Sequence, residues 1–211
     1  KRYLRDKIRI RSGLVTPILW LLIFGSGIRF TGSIGNLSYQ QYLFPGIVGQ
    51  TLLFSSMFMG ISVIWDREFG FMKEILVAPI SRMSIFLGKM LGDSTDALIQ
   101  GVIVFFLGFL LGVPLDATIF LEALPIMLLA TFGFVSLGLT IASFMENLES
   151  YGVVQTFVNL PLFFLSGALF PMDGGQVPIW MQAVSTFNPL TYSVDALRTV
   201  ILGVTWQPQS L

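Results

Sequence analysis

Long uncharged runs separated by short charged blocks divide this chain. Residues 12–28 carry no charge, and after Arg29 none occurs from Phe30 to Trp65. A charged block extends from Asp66 to Asp96, after which 97–115, 123–145 and 150–172 are again uncharged. A helix needs about 20 apolar residues to cross about 30 Å of hydrocarbon. The runs therefore predict five membrane spans, near 14–31, 43–65, 86–112, 120–144 and 150–170. They lack the period-2 alternation of a barrel strand, and a lipid-facing backbone must satisfy its own hydrogen bonds, so helix is the expected structure. The fold class read from this pattern is an all-α polytopic membrane protein, one transmembrane domain over 1–211.

Composition narrows the function classes. Charged residues make up 11% of the 211, against about 25% in soluble domains. Too few charges remain to cover a water-exposed surface, so a water-soluble enzyme does not fit. With neither His nor Cys, the chain has no metal site built on those ligands, no thiol nucleophile, no Ser-His-Asp triad and no disulfide. It carries no catalytic chemistry of its own that the sequence reveals. Twelve basic residues balance 12 acidic ones, leaving no global field for nucleic acid. The chain opens on Lys1 rather than Met, so an earlier segment is expected. No signal peptide is visible.

Lys and Arg placement sets the expected orientation. Lys1, Arg2, Arg5, Lys7, Arg9 and Arg11 crowd the first segment, and Arg67, Lys73, Arg82 and Lys89 the block between spans two and three. The block between spans three and four holds only Asp116 and Glu122. The N-terminus and the 66–85 loop are therefore expected in the cytoplasm of a cell whose plasma membrane holds the protein. The 145–149 turn, with Glu146 and Glu149, is cytoplasmic by parity alone.

Three segments carry candidate function. Residues 66–80 read as a short amphipathic helix: Phe71, Ile75 and Ala78 recur at helical spacing, as do Met72 and Leu76. Arg67, Lys73 and Glu74 supply polar contacts, and Pro79 stops the helix. It either lies on lipid headgroups or docks into a groove on a partner protein; the mix of acid and base favours the protein. Residues 1–12 form either a solvated basic anchor or a helix lying in the interface with snorkelling side chains. Residues 171–198, broken by Pro171, Pro178 and Pro189, suit a re-entrant hairpin dipping into the outer leaflet. Within it Asn188 before Pro189 signals a helix start, and Asp195 and Arg198, one turn apart, can pair.

Polar residues inside the spans have structural readings beside functional ones. Asp93 and Asp96 stand one turn apart at the start of span three, as in a proton relay, but Lys89 one turn earlier can pair with Asp93. Gln50, Gln100, Gln155 and Asn159 are candidates for cavity or interhelix hydrogen bonds, and Gly108, Gly112, Gly133 and Gly138 for close helix packing.

Two motifs in order resemble a known family. Asp66-Arg67-Glu68-Phe69-Gly70 with Glu74-Ile-Leu-Val-Ala-Pro79 looks like the coupling region of type-2 ABC exporter permeases. Ser166-Gly167-Ala-Leu-Phe170-Pro171-Met, Pro178-Ile-Trp and Asn188-Pro189-Leu-Thr-Tyr192-Ser-Val-Asp195-Ala-Leu-Arg198 look like the family's signature before its last span. The nearest likeness is to the daunorubicin-resistance group of drug or lipid exporters. The resemblance covers nearly the whole chain. It implies a type-2 exporter transmembrane domain with an N-terminal interface helix, a coupling helix at 66–80, and an outer hairpin at 171–198 acting as a gate. It also implies a separate ATP-binding-cassette subunit that holds ATP and magnesium, and a second permease copy or paralogue as dimer partner. The family's sixth span is expected but not seen. No Walker A pattern occurs, so ATP is expected on the partner rather than here. The function expected is the permease of an ATP-driven exporter moving a hydrophobic or amphipathic drug, lipid or glycolipid. The rivals are a transporter or channel subunit not driven by ATP, and a scaffold or intramembrane enzyme.

Overall fold

The computed structural model describes residues 15–20, 23, 39–70, 77, 79, 81–113, 115–170 and 177–203. The expected interface helix at 1–12, together with Lys73, Glu74 and Pro171, lies outside them. All regular structure among the described residues is helical: α1 Tyr39–Phe58, α2 Ile61–Glu68, α3 Arg82–Leu107, α4 Ala117–Phe144, α5 Leu148–Phe164, α6 Ile179–Thr186 and α7 Pro189–Leu202. A 3-10 turn, Gly108–Leu111, extends α3. Of the first expected span, residues 15–20 are helical, and Trp20 meets Phe163 edge-on at 5.3 Å.

Helix α1 is the centre. It is apolar on every side, and α3, α4, α5 and α7 all pack on it. A helix hydrophobic all round must be buried on all sides. Leu43, Phe44, Ile47, Val48, Leu52, Leu53 and Met57 are fully enclosed and form the core with residues of α3, α4 and α7. The combined Tyr39–Glu68 stretch, α3 and α4 are long and apolar enough to cross a membrane. At 26 and 28 residues, α3 and α4 reach about 40 Å, beyond a hydrocarbon core of about 30 Å.

Local sequence explains most helix ends. The Ser81 hydroxyl accepts from the Ser84 amide at 3.0 Å and opens α3. Asn147 opens α5 through the Ser150 amide at 2.8 Å. Asn188 opens α7 through the Leu190 amide at 2.9 Å, with Pro189 at the first helical position. Gly112 at φ 68° closes the turn after α3.

Three helices among the described residues are long and apolar enough to span, and two of the expected runs are interrupted. The run read as one span, 43–65, breaks at Met59-Gly60 into α1 and α2. Span five ends at Phe164 rather than 170, because Gly167 adopts φ 71° and Ser166 to Leu169 turn inward to bury against the core. Tight turns and uninterrupted helices have the same apolar composition, so hydropathy does not separate them.

Helix α7 runs antiparallel to α1. Leu190 and Val194 face Gly49, while Arg198 lies over the Tyr42 ring. Moving toward the end of α7 thus moves toward the start of α1. The α6–α7 turn at Phe187-Asn188 sits about halfway along α1, since Leu190 just beyond it packs on Gly49. Helix α7 itself continues to Leu202, past the 171–198 bounds expected for a hairpin.

Candidate functional site

Two clusters of polar contacts stand at opposite ends of α1. At the end reached by α2, three ties hold the segment that leads into residues 66–80. The Ser62 hydroxyl donates to Asp93 of α3 at 3.2 Å. Asp66 and Lys89 of α3 form an ion pair. Arg67 donates to the Met145 carbonyl at 2.8 Å and to Ser143 at 3.1 Å. The last carbonyls of a helix lack intrahelical partners and carry partial negative charge, so the Arg67 guanidinium serves as the C-terminal cap of α4. At this exposed position the contact contributes about 0.3–1 kcal/mol. The partner expected for Lys89 was Asp93; the partner observed is Asp66. Folding brings α2 alongside α3, a proximity that spacing along α3 cannot reveal.

Beyond this anchor most of the described residues are exposed. Glu68 ends α2, and Phe69 is 72% exposed. Gly70 takes φ 78°, with nothing within 4 Å of where a Cβ would stand. Val77 and Pro79 are exposed as well. Phe69 is thus an exposed aromatic beside a left-handed glycine, at the end of a helix tied to α3 and α4.

At the other end α7 and the turn after α5 lock onto α1. Arg198 pairs with Asp195 at 3.0 Å, as spacing predicted, and also donates to the Gly167 carbonyl at 3.1 Å. Its guanidinium lies 4.0 Å from the centre of the Tyr42 ring. The Tyr42 hydroxyl donates to the same Gly167 carbonyl at 3.3 Å, and Tyr39 donates to Leu169 at 3.0 Å. The turn Ser166–Phe170 is thus held from both α1 and α7, with Phe170 packed on the core. Its approach to α1 needs Gly46, where a Cβ would stand 2.5 Å from the Ala168 carbonyl oxygen. Asn188 does double work: besides capping α7 it donates to the Leu162 carbonyl at 2.7 Å. The Tyr192 hydroxyl donates to Thr186, closing the α6–α7 turn.

Thus Gly167, Asp195 and Arg198 come together at Tyr42, with Phe170 packed on the core, whereas Asn188, Pro189 and Tyr192 stand at the α6–α7 turn, about halfway along α1. Arg67, Glu68, Phe69 and Gly70 share the opposite end. Tyr39, Tyr42 and Gly46 were not foreseen. Tyrosines inside an apolar run were the available signal, since a buried hydroxyl needs a partner. Gln50, Gln100 and Asn159 are buried, and the side-chain carbonyl oxygens of Gln50 and Asn159 have no hydrogen-bond partner among the described residues. Gly108 and Gly138 do mark close contacts, with Phe44 and Met57; Gly112 and Gly133 face open space. Gly133 instead borders a cavity of about 430 Å³ between α4 and α7, lined by Leu129, Phe134, Pro189 and Tyr192 among others.

Known proteins give this arrangement its context. The family model of the ABC-2 type transporter matches residues 1–202. The chain is 34% identical to transport permease ycf38 of Cyanophora paradoxa, over 96% of this chain and 71% of that one. It is 30% identical to transport permease ycf38 of Porphyra purpurea, over 96% and 70%. It is 31% identical to Nodulation protein J of Rhizobium leguminosarum bv. trifolii, over 90% and 72%. Permeases of this family normally work with an ATPase partner. With a family match running from Lys1 through both clusters, the chain belongs to the ABC-2 type transporters, as a multi-pass membrane permease subunit.

Proposed function

We propose that this permease is the membrane half of an ATP-driven exporter, with α2 and residues 66–80 receiving force from a separate ATPase subunit. The observation that carries this reading is the anchored helix: Ser62, Asp66 and Arg67 tie α2 to α3 and α4, and Phe69 at its end is exposed. A helix tied to two long helices transmits displacement; one hung on a loose loop absorbs it. In this reading the Glu68 end faces the cytoplasm of the plasma membrane, where the basic segments lie, and the Tyr42–Arg198 cluster faces outside as the gate. The ATPase holds ATP and magnesium, and its groove grips Arg67, Glu68, Phe69, Gly70, Lys73, Glu74 and Pro79. A second permease copy or paralogue completes the route. The apolar walls suit a hydrophobic or amphipathic cargo such as a drug, lipid or glycolipid. The name transport permease, carried by relatives, supports transport without specifying that cargo.

The test is charge reversal at the proposed dock. Arg67→Glu with Glu74→Lys is expected to abolish co-purification of the ATPase and ATP-dependent uptake of daunorubicin or a fluorescent phosphatidylethanolamine into inverted vesicles. Retention of both would refute the docking reading. A stable transporting assembly without any ATPase would establish a transporter of another class.

A further inference from the structure

The break between α1 and α2 is built rather than incidental. The amides of Met59 and Gly60 bond back three residues, to Ser56 and Met57 at 3.1 Å each, and Ser62 and Val63 repeat the pattern to Met59 and Gly60 at 3.0 Å. The helix therefore tightens locally into 3-10 geometry, a common form of a functional hinge. Across from it Tyr151 of α5 is fully buried, and its hydroxyl donates to the Met57 carbonyl at the last turn of α1. The Gly138 carbonyl of α4 lies 3.5 Å from the same hydroxyl. Gly60 leaves the space these groups occupy: a Cβ there would run into the Tyr151 ring and stand 2.7 Å from the Gly138 carbonyl oxygen. Gly138 in turn lets α1 approach, since a Cβ on it would be 3.1 Å from the Met57 Cα. Tyr151, Val63 and Ile64 share a small core with Val135, Leu139 and Ala142 of α4, separate from the main one.

We infer that Tyr151 is a positioning residue that locks this break, so that α2 and the base of α5 move with α1 as one body. A break with locally altered hydrogen bonding is the natural place for a helix to bend. A donor from a third helix, bound at the carbonyl where the break begins, removes that freedom. Without it, displacement of α2 would be taken up at Met59-Gly60 instead of reaching the hairpin end of α1. The consequence for transport rests on the exporter reading above; the mechanical lock does not.

The chain has no cysteine, so paired labels are clean. Spin labels at Trp65→Cys on α2 and Val153→Cys on α5, both exposed sites, read the distance across the joint in the complex with its ATPase. Tyr151→Phe keeps the ring and removes only the hydroxyl. It is expected to broaden that distance distribution in the presence of ATP, and to lower phosphatidylethanolamine-analogue uptake per ATP hydrolysed about fivefold, the scale of one lost buried hydrogen bond. Identical distance distributions in parent and variant overturn the lock, whatever uptake does. Uptake and hydrolysis falling in proportion, with distances unchanged, assign Tyr151 to stability alone and also overturn it. If the parent shows no ATP-dependent uptake, the exporter reading fails while the distance measurement still decides the lock.

Discussion

Arg198 shows how a charge is kept inside an apolar bundle. Its side chain is only 12% exposed, and the carboxylate of Asp195, the Gly167 carbonyl and the Tyr42 ring share its guanidinium. Removing one partner of such a group costs more than the pair contributes, because the other charge stays desolvated. Asp195→Asn is therefore expected to destabilise the protein by about 2–4 kcal/mol, read as a lower midpoint of thermal unfolding in detergent. A double-mutant cycle of Tyr42→Leu and Arg198→Met isolates the stacking contact, with an expected coupling of about 0.5–2 kcal/mol. Zero coupling would mean that the ring only fills space. The pairing of Asp195 with Arg198 was legible from their spacing. Tyr42 was not, because its partner lies far along the chain and only the antiparallel run of α7 against α1 brings the two together.

At the scale of elements, the glycines separate by what surrounds them. Gly60 and Gly138 sit in backbone contact with neighbouring helices, whereas Gly133 and Gly152, also in helices, have nothing within 4 Å of where a Cβ would stand. Alanine lowers the entropy of the unfolded chain and favours helix by about 0.5–1 kcal/mol over glycine. Gly133→Ala and Gly152→Ala are accordingly expected to raise the unfolding midpoint slightly. Gly60→Ala is expected to lower it by the equivalent of about 1–3 kcal/mol, the usual cost of overpacking. Equal effects at all of these sites would show that the contacts at Gly60 carry no energy. Asn188→Ala removes both the cap of α7 and the bond to Leu162, with an expected loss of about 1–2 kcal/mol. The cap could be read from Asn before Pro; the bond to α5 could not.

For the whole molecule, the orientation proposed from basic residues makes Phe69 and Asp116 accessible from opposite sides. Single cysteines at these two exposed positions should react with a membrane-impermeant maleimide, Phe69→Cys only from the cytoplasm and Asp116→Cys only from outside. Labelling of both from one side would overturn the orientation. Hydropathy alone was enough to make this an all-helical membrane protein, because a chain with so few charges can bury its backbone polar groups in lipid only as helix. The Asn188 cap and the Asp195–Arg198 pair were legible as well, since caps and pairs one turn apart are local chemistry. Which helix stands at the centre was settled by packing. The runs that became α1 and α4 look equally apolar, yet α1 is enclosed on all sides and much of α4 is exposed. The break at Met59-Gly60, the Asp66–Lys89 pair and the Tyr42–Arg198 contact also depended on the tertiary structure. Each joins residues that meet only after separate helices pack, and an apolar sequence carries no record of which neighbour will arrive.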